Sequence, residues 1–459
     1  MSPEKTHRNW TVRAAVAAVL VATFSWALVL WQRDPDSARQ PDLTRLDPLE
    51  LRDSPDPAYA ISVIEDRVAR NPGSFIDYTV LGDMNLGQLR RSGDAGASVR
   101  AEEAFQKALE INPSYAPAIA GYASALFSQH RFDEAITWSQ KVPAASKAGL
   151  RALATIADSQ LSLGRYSEAE SSYAELAARE PGPATDARLS HLRFLFGDAD
   201  GALRLARSAA TSAYVSGIDP ETMAWYLSRV GELFFGQSDL NAASAHYRSA
   251  LAIYPDHYPS LVGLARVTAA TGDLDESAGY YVRAADISPQ PAVLAALGDV
   301  YAALGRTREA ETQFETVELI GRLAEINKSV YNRELALFYS DHDTKVVEAL
   351  LLAGAEIEIR KDVNGYDALA WALYRNGRHA EALNAVGQAL RLGTPDASFH
   401  YHAGLIYQAL GRRAEAAAAL ELALRINPYF SLGHAGKARA ALNVVTSDGT
   451  EFTAGVSAQ

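Results

Sequence analysis

The side chains able to do chemistry are few and poorly spaced for it. Ten histidines are spread over 459 residues, and there is no cysteine. Lack of cysteine removes thiolate metal sites, disulfides and cysteine nucleophiles together. The nearest approach to a metal-binding group is His400 with His402, and the run Asp341-His342-Asp343. Residues two apart on a helix point to different sides, so the two histidines do not converge on one ion. The trio reads as a turn in which Asp343 caps the following helix. Gly433-His434-Ala435-Gly436-Lys437 lacks the earlier glycine and the following Ser or Thr of a phosphate-binding loop. Neither Gly-x-Ser-x-Gly nor His-Glu-x-x-His occurs. No catalytic residue, cofactor or metal is therefore expected, and the chain does not read as an enzyme.

The elements that carry these residues follow from composition. Hydrophobic residues make up 48% of the chain, alanine recurs throughout, and β-branched runs are scarce, which favours an all-α fold. A formal net charge of -12 argues against nucleic acid, which requires a Lys/Arg stripe.

One phrase recurs: RFDEAI at 131–136, GRYSEAE at 164–170, GDLDESA at 272–278, GRTREAE at 305–311, GRHAEAL at 377–383 and GRRAEAA at 411–417. Its small residue marks ten units at Ala101, Ala135, Ala169, Ala202, Ala243, Ser277, Ala310, Ala349, Ala382 and Ala416. Successive gaps are 34, 34, 33, 41, 34, 33, 39, 33 and 34. Twelve residues before most markers stands another small residue, such as Ala123, Ala157, Ser190 or Gly231. Between the two lies a glycine such as Gly164, Gly272, Gly305, Gly377 or Gly411. This is what an antiparallel helix pair needs: a left-handed glycine cap and facing small residues where the axes approach. A larger residue four after the marker, such as Tyr247, Phe314 or Leu420, faces the next unit, and Pro113, Pro181, Pro255, Pro289 and Pro428 stop the second helices.

Over about residues 57–430 the pattern resembles the tetratricopeptide repeat family, in a bacterial type with an N-terminal membrane anchor. The resemblance implies a right-handed α-solenoid of about ten helix-turn-helix units. Two departures stand out: the early aromatic of each first helix is mostly Ile or Leu, and the eighth unit has Leu337 where a small residue is expected. Residues 60–74 and 431–445 read as capping helices, so that the superhelix covers 57–445. Residues 446–459 read as a disordered tail.

From Ala14 to Trp31 an uncharged 18-residue run follows Lys5, Arg8 and Arg13 and precedes Arg33, Asp34 and Asp36. The run nearly spans a hydrocarbon core, and the charges place residues 1–13 in the cytoplasm and the repeat body outside it. The expectation is a single transmembrane signal-anchor helix at 14–31 in the inner membrane, with a periplasmic body. The rival is secretion after cleavage near Ser25-Trp26-Ala27. Residues 32–56, with Pro35, Pro41, Pro48 and Pro55 among charges, read as a Pro-rich linker.

In the tetratricopeptide family the first helices line a concave groove, with ligand contacts from the second, fifth, ninth and twelfth positions. By that resemblance the groove aromatics are Phe127, Phe194, Trp225, Phe235, Tyr331, Phe338, Trp371, Tyr374 and Tyr401, with Trp225 and Trp371 foremost. The Lys and Asn of the family's carboxylate clamp are absent from the fifth and ninth positions. Asp158, Glu232, Asp299, Glu334 and Asp367 fall on the same face, so the expected protein or peptide partner carries Lys or Arg. The expected function is a membrane-anchored scaffold or adaptor. Its alternatives are a holdase-like chaperone or assembly factor for exported proteins and, further off, an accessory subunit of an enzyme.

Overall fold

A computed structural model describes residues 47–51, 56–327 and 332–454. The segment 14–31, its flank 1–13, most of the linker and Tyr331 lie outside them. Among the described residues there is no strand, and no helix is long and apolar enough to cross a membrane. The chain divides into two compact units, Met1–Pro72 and Gly73–Gln459.

The first unit holds the helices Pro48–Leu51 and Pro57–Arg70. Of the segment read as a linker, only residues 47–51 and Asp56 are described. Leu51 is fully buried, and its N–H closes a helical turn on the Asp47 carbonyl, with Pro48 fixing the first φ. The helix expected over 60–74 is present as Pro57–Arg70, started by Asp56, whose carboxylate accepts from the Tyr59 N–H.

The second unit is a run of ten helix pairs. Repeats 1 to 5 are Phe75–Ser92 with Ala95–Ile111, Ala116–Ser128 with Phe132–Ser139, Lys147–Ser162 with Tyr166–Arg179, Pro183–Leu195 with Ala199–Val215, and Pro220–Gly236 with Leu240–Ile253. Repeats 6 to 10 are Tyr258–Thr271 with Leu274–Ile287, Pro291–Ala303 with Thr307–Asn327, Asn332–Asp341 with Val346–Ile359, Val363–Arg375 with His379–Ala389, and Ala397–Ala409 with Arg413–Ile426. The helix His434–Ala454 follows. It runs nine residues past 445, into the segment read as a tail. Val445 is buried, and the Thr446 and Ser447 hydroxyls bond back to the carbonyls of Leu442 and Asn443.

All ten marker residues are buried to 3% exposure or less, so each sits where its two helices cross. The large residue four positions on lies over glycine. A Cβ on Gly231 would meet the Tyr247 ring at 2.7 Å and one on Gly263, in the next repeat, at 2.3 Å. Gly82 and Gly121 stand to Phe105, and Gly298 to Phe314, in the same way. One ring thus locks its own repeat to a neighbour, at a spacing only glycine permits. The insertions become extra helical turns, as in the 21-residue helix Thr307–Asn327 and the 17-residue helices Ala199–Val215 and Pro220–Gly236.

Every repeat turns between its helices on a left-handed residue. Seven are Gly93, Gly164, Gly197, Gly272, Gly305, Gly377 and Gly411; His130, Ser238 and Asp343 take the position in repeats 2, 5 and 8. Asp343 is therefore not the expected helix cap. It pairs with Arg375 at 2.7 Å, and the helix begins at Lys345 without a side-chain cap. In the short first helix of repeat 8, Ala336 and Ser340 are fully buried while Leu337 is half-buried, and Ala336 packs with Ala349 and Ala353. Small residues one before and three after Leu337 thus serve the crossing.

The left-handed residues of repeats 1 to 5 each touch chain about 190 to 230 residues later. Gly93 accepts through its carbonyl from Gln290 Nε2 at 3.1 Å, and His130 meets Arg360. Gly164 packs on the Lys361 carbonyl, and beside it the Val363 N–H donates to Tyr166 Oη at 2.9 Å. Gly197 packs on the Gly393 carbonyl, and Thr394 donates to the Leu195 carbonyl at 2.7 Å. Ser238 donates to the Ile426 carbonyl at 3.2 Å, and Asn427 to that of Phe235 at 2.9 Å. Tyr166 and Leu195 share an apolar cluster with Val363, Ala389 and Phe399. The solenoid therefore winds back on itself along a packed seam.

Candidate functional site

A cavity of about 650 Å³ opens on the inner side of repeats 1 to 6. Its lining comes from the first helices, apart from Tyr173 on a second helix and His257 ahead of repeat 6. The 34-residue period produces this, because a residue at one position of a first helix is stacked beside its equivalent in the next repeat.

Phe127 and Trp225 both line this cavity. Trp225 is 40% exposed and lies edge-on to Tyr226 at 5.1 Å, and Phe127 is half-buried against Phe132. The other expected aromatics are placed differently. Phe194 is half-buried in the core between repeats 4 and 5. Phe235, Phe338, Trp371 and Tyr401 are buried, which corrects their expected exposure to a partner. Trp371 donates Nε1–H to Asp341 at 2.7 Å and stacks on Tyr374 and on His402, at 5.0 and 4.4 Å. It holds repeats 8 to 10 together, and half-buried Tyr374 packs beside it. Burying a large aromatic inside the solenoid gains more apolar area than leaving it on the groove wall.

Two of the three arginines at the cavity are paired with carboxylates. Asp158 accepts from Tyr173 Oη at 2.8 Å and from Arg188 Nε at 3.0 and 3.1 Å. Burial pushes the Tyr173 hydroxyl well up. Burial also works against the Arg188 charge, but Asp158 more than offsets it, so that guanidinium is held above its usual range. Arg229 pairs with Glu232. Burial, with nearby Arg229 adding to it, lowers His191 to about 4, and burial lowers His257 to about 4, so both rings are neutral at pH 7. Burial pushes Glu221 up while Arg90 opposes it.

The acidic face reads differently in this light. Asp158 and Glu232 are neutralised by arginine, Asp299 bonds His342 at 2.9 Å, and buried Asp367 bonds His402 Nδ1 at 2.9 Å. Four of the five carboxylates on that face are thus engaged internally, which leaves less of it to attract a Lys- or Arg-bearing partner. The cavity lining itself carries Arg90, Arg188 and Arg229 against Asp158 and Glu221.

Arg188 and Arg229 fall outside the expected groove positions, whereas His191 occupies the ninth position of its unit. Both arginines stand fourteen residues before their markers, Ala202 and Ala243, so a shared repeat position pointed to them. Tyr173 lies on a second helix, which the groove positions leave out.

Tetratricopeptide repeat profiles match residues 94–148, 231–292, 291–316 and 368–429. Tetratricopeptide repeats are thus detected within this all-α solenoid. No curated protein matches the chain. Among solved structures it is similar to the anaphase-promoting-complex hetero-tetramer Cut9-Hcn1, at 14% identity over 89% of this chain and 97% of that one, with a TM-score of 0.32. It is similar to a tetratricopeptide repeat protein from Parabacteroides merdae, at 18% over 60% and 98%, TM-score 0.33. Yeast Tom70 is similar at 13% over 88% and 96%, TM-score 0.34. None of the three superposes closely.

Proposed function

We propose that this protein is a scaffold that holds an extended segment of another polypeptide in the inner cavity of its first six repeats. The observation that carries the reading is the cavity wall: exposed Trp225 and half-buried Phe127 beside two arginines, Arg188 and Arg229, that are already paired with carboxylates. Such a wall receives apolar side chains against its aromatics, while Arg90 and Glu221 stand at the same cavity for the carbonyls and N–H groups of a bound backbone. The uncharged run at 14–31 supports a membrane anchor, with the repeat body on the extracytoplasmic side. The partner's charge is left open, because four of the five acidic residues on that face are engaged within the chain.

Photo-crosslinking tests the reading. Benzoylphenylalanine replaces Trp225 in the cavity, or Val347, which is 66% exposed outside it, and the chain is irradiated with carboxymethylated α-lactalbumin as a permanently unfolded probe. Position 225 is expected to crosslink at least fivefold more than position 347. Equal yields at the two positions would sink the proposal. For the anchor, alkaline extraction should leave the full chain in the membrane pellet and release a chain lacking residues 1–31.

A further inference from the structure

The contacts between early and late repeats follow one rule. The left-handed residues of repeats 1 to 5 all bear on later chain, whereas a Cβ on Gly272, Gly305, Gly377 or Gly411 would meet nothing within 4 Å. Making a tetratricopeptide pair does not require these contacts, since repeats 6, 7, 9 and 10 do without them. They close the first five repeats against the loops that precede repeats 7, 9 and 10 and the last helix.

This seam is joined directly to the cavity. Arg90, Phe127 and Leu161 line the cavity at the ends of the first helices of repeats 1 to 3, and Gly93, His130 and Gly164 lie three residues further along each chain. Anything that pushes on the cavity wall at those helix ends moves the turns that make the seam.

Part of the seam is also poorly satisfied. His130 Nδ1 and Arg360 Nε are buried without a hydrogen bond, and the nearest carboxylate to Arg360 Nε, on Glu356, lies 3.6 Å away. A second guanidinium, Arg333, is packed beside them and is held by Glu356 and Asp362. Groups left this way regain water when the seam parts, unlike the apolar crossings inside each repeat.

From this geometry we infer that the seam is a latch: the partner segment loads when repeats 1 to 5 part from the loops they touch, and the closed superhelix is the form that retains or excludes it. The inference rests on the cavity being the polypeptide-holding site. Its structural unit is a turn-on-turn contact offset by six repeats, and its moving parts are whole helix pairs, which remain folded as the seam opens.

The chain has no cysteine, so the latch can be locked with an introduced pair. Ser238→Cys with Asn427→Cys joins positions whose side-chain oxygens lie 3.5 Å apart across the seam. In the full chain carrying benzoylphenylalanine at position 225, oxidation of this pair should slow crosslinking to carboxymethylated α-lactalbumin at least fivefold, and dithiothreitol should restore it. The wedge Gly164→Ala should act in the opposite sense and crosslink faster than Gly305→Ala, which carries the same backbone strain away from the seam. Equal rates in locked and reduced protein, with no difference between the two wedges, overturn the latch and leave the cavity reading standing. If position 225 fails to crosslink in every form, the cavity reading itself is wrong and the latch falls with it.

Discussion

Gly164→Ala probes the winding of the solenoid more sharply than any other single change. Gly164 and Gly305 have nearly the same left-handed backbone, with φ of 70° and 73°. An alanine in either place pays the left-handed cost of about 1 kcal/mol. At Gly305 that is the whole effect, because the new methyl faces open space. At Gly164 the Cβ would stand 2.2 Å from the Lys361 carbonyl oxygen and 2.8 Å from its carbon, so the loop before repeat 9 must retreat by about 1 Å to reach ordinary contact. That loop carries the Val363 N–H bonded to Tyr166 Oη, and the Lys361 carbonyl also accepts from Arg391 Nη2 at 3.1 Å. Leaving a buried donor such as the Val363 N–H unpaired costs about 1–3 kcal/mol. The expected losses are therefore about 2–4 kcal/mol for Gly164→Ala and about 1 kcal/mol for Gly305→Ala. Urea titrations followed by circular dichroism compare the midpoints, and hydrogen exchange at the Val363 amide reports the seam alone. Equal midpoints together with an unchanged Val363 amide would refute the packing described for the seam.

Other consequences can be measured separately. Asp158→Asn removes the charge that holds Arg188 and Tyr173 and should cost about 1.5–3 kcal/mol of stability; an unmoved urea midpoint would contradict that network. Trp371→Ala should destabilise by about 3–5 kcal/mol, as large core truncations do, whereas Trp225→Ala should change stability by less than about 1 kcal/mol while weakening retention of the unfolded probe. Reversal of that order in paired melting and binding measurements would mean the two tryptophans have been assigned the wrong roles. Burial lowers four histidines, His130 and His434 to about 3 and His191 and His257 to about 4. Since the unfolded chain takes up these protons near pH 6.5, their stability is intact above that pH and lost as pH falls towards the folded values, by about 2 kcal/mol each at pH 5. His402 and His342 oppose this: burial lowers them, but Asp367 and Asp299 raise them further, so their share is lost as pH rises. Melting temperature should fall between pH 7 and pH 5, less so in His130→Gln; a rise on acidification would show the sign to be wrong.

The repeat was legible because its determinants are local and periodic. A buried small residue every 33 or 34 positions, a left-handed glycine between paired helices and a proline after them each follow from the geometry of one helix pair. His130, Ser238 and Asp343 were not legible as left-handed residues, since only tertiary packing makes a non-glycine residue accept that backbone. Position counting led to two residues that line the cavity, Phe127 and Trp225, and to two that are buried, Trp371 and Tyr401. Position counting assumes an open groove, whereas here the superhelix winds tightly enough to bury its inner aromatics in repeats 8 to 10. The pairing of charges on that face was not legible for a related reason: Arg188 reaches Asp158 across thirty residues of chain, and His402 reaches Asp367 across thirty-five, pairings that no single repeat displays. The seam has no sequence signal at all, being a consequence of cumulative rotation over six repeats.

Hydrogen exchange of the full chain with and without saturating carboxymethylated α-lactalbumin tests most directly whether the inner cavity holds polypeptide. The account predicts added protection concentrated in Pro183–Leu195 and Pro220–Gly236, the first helices that carry Arg188, His191 and Trp225. Protection confined to the outer helix Val346–Ile359, with those two segments unchanged, would contradict it.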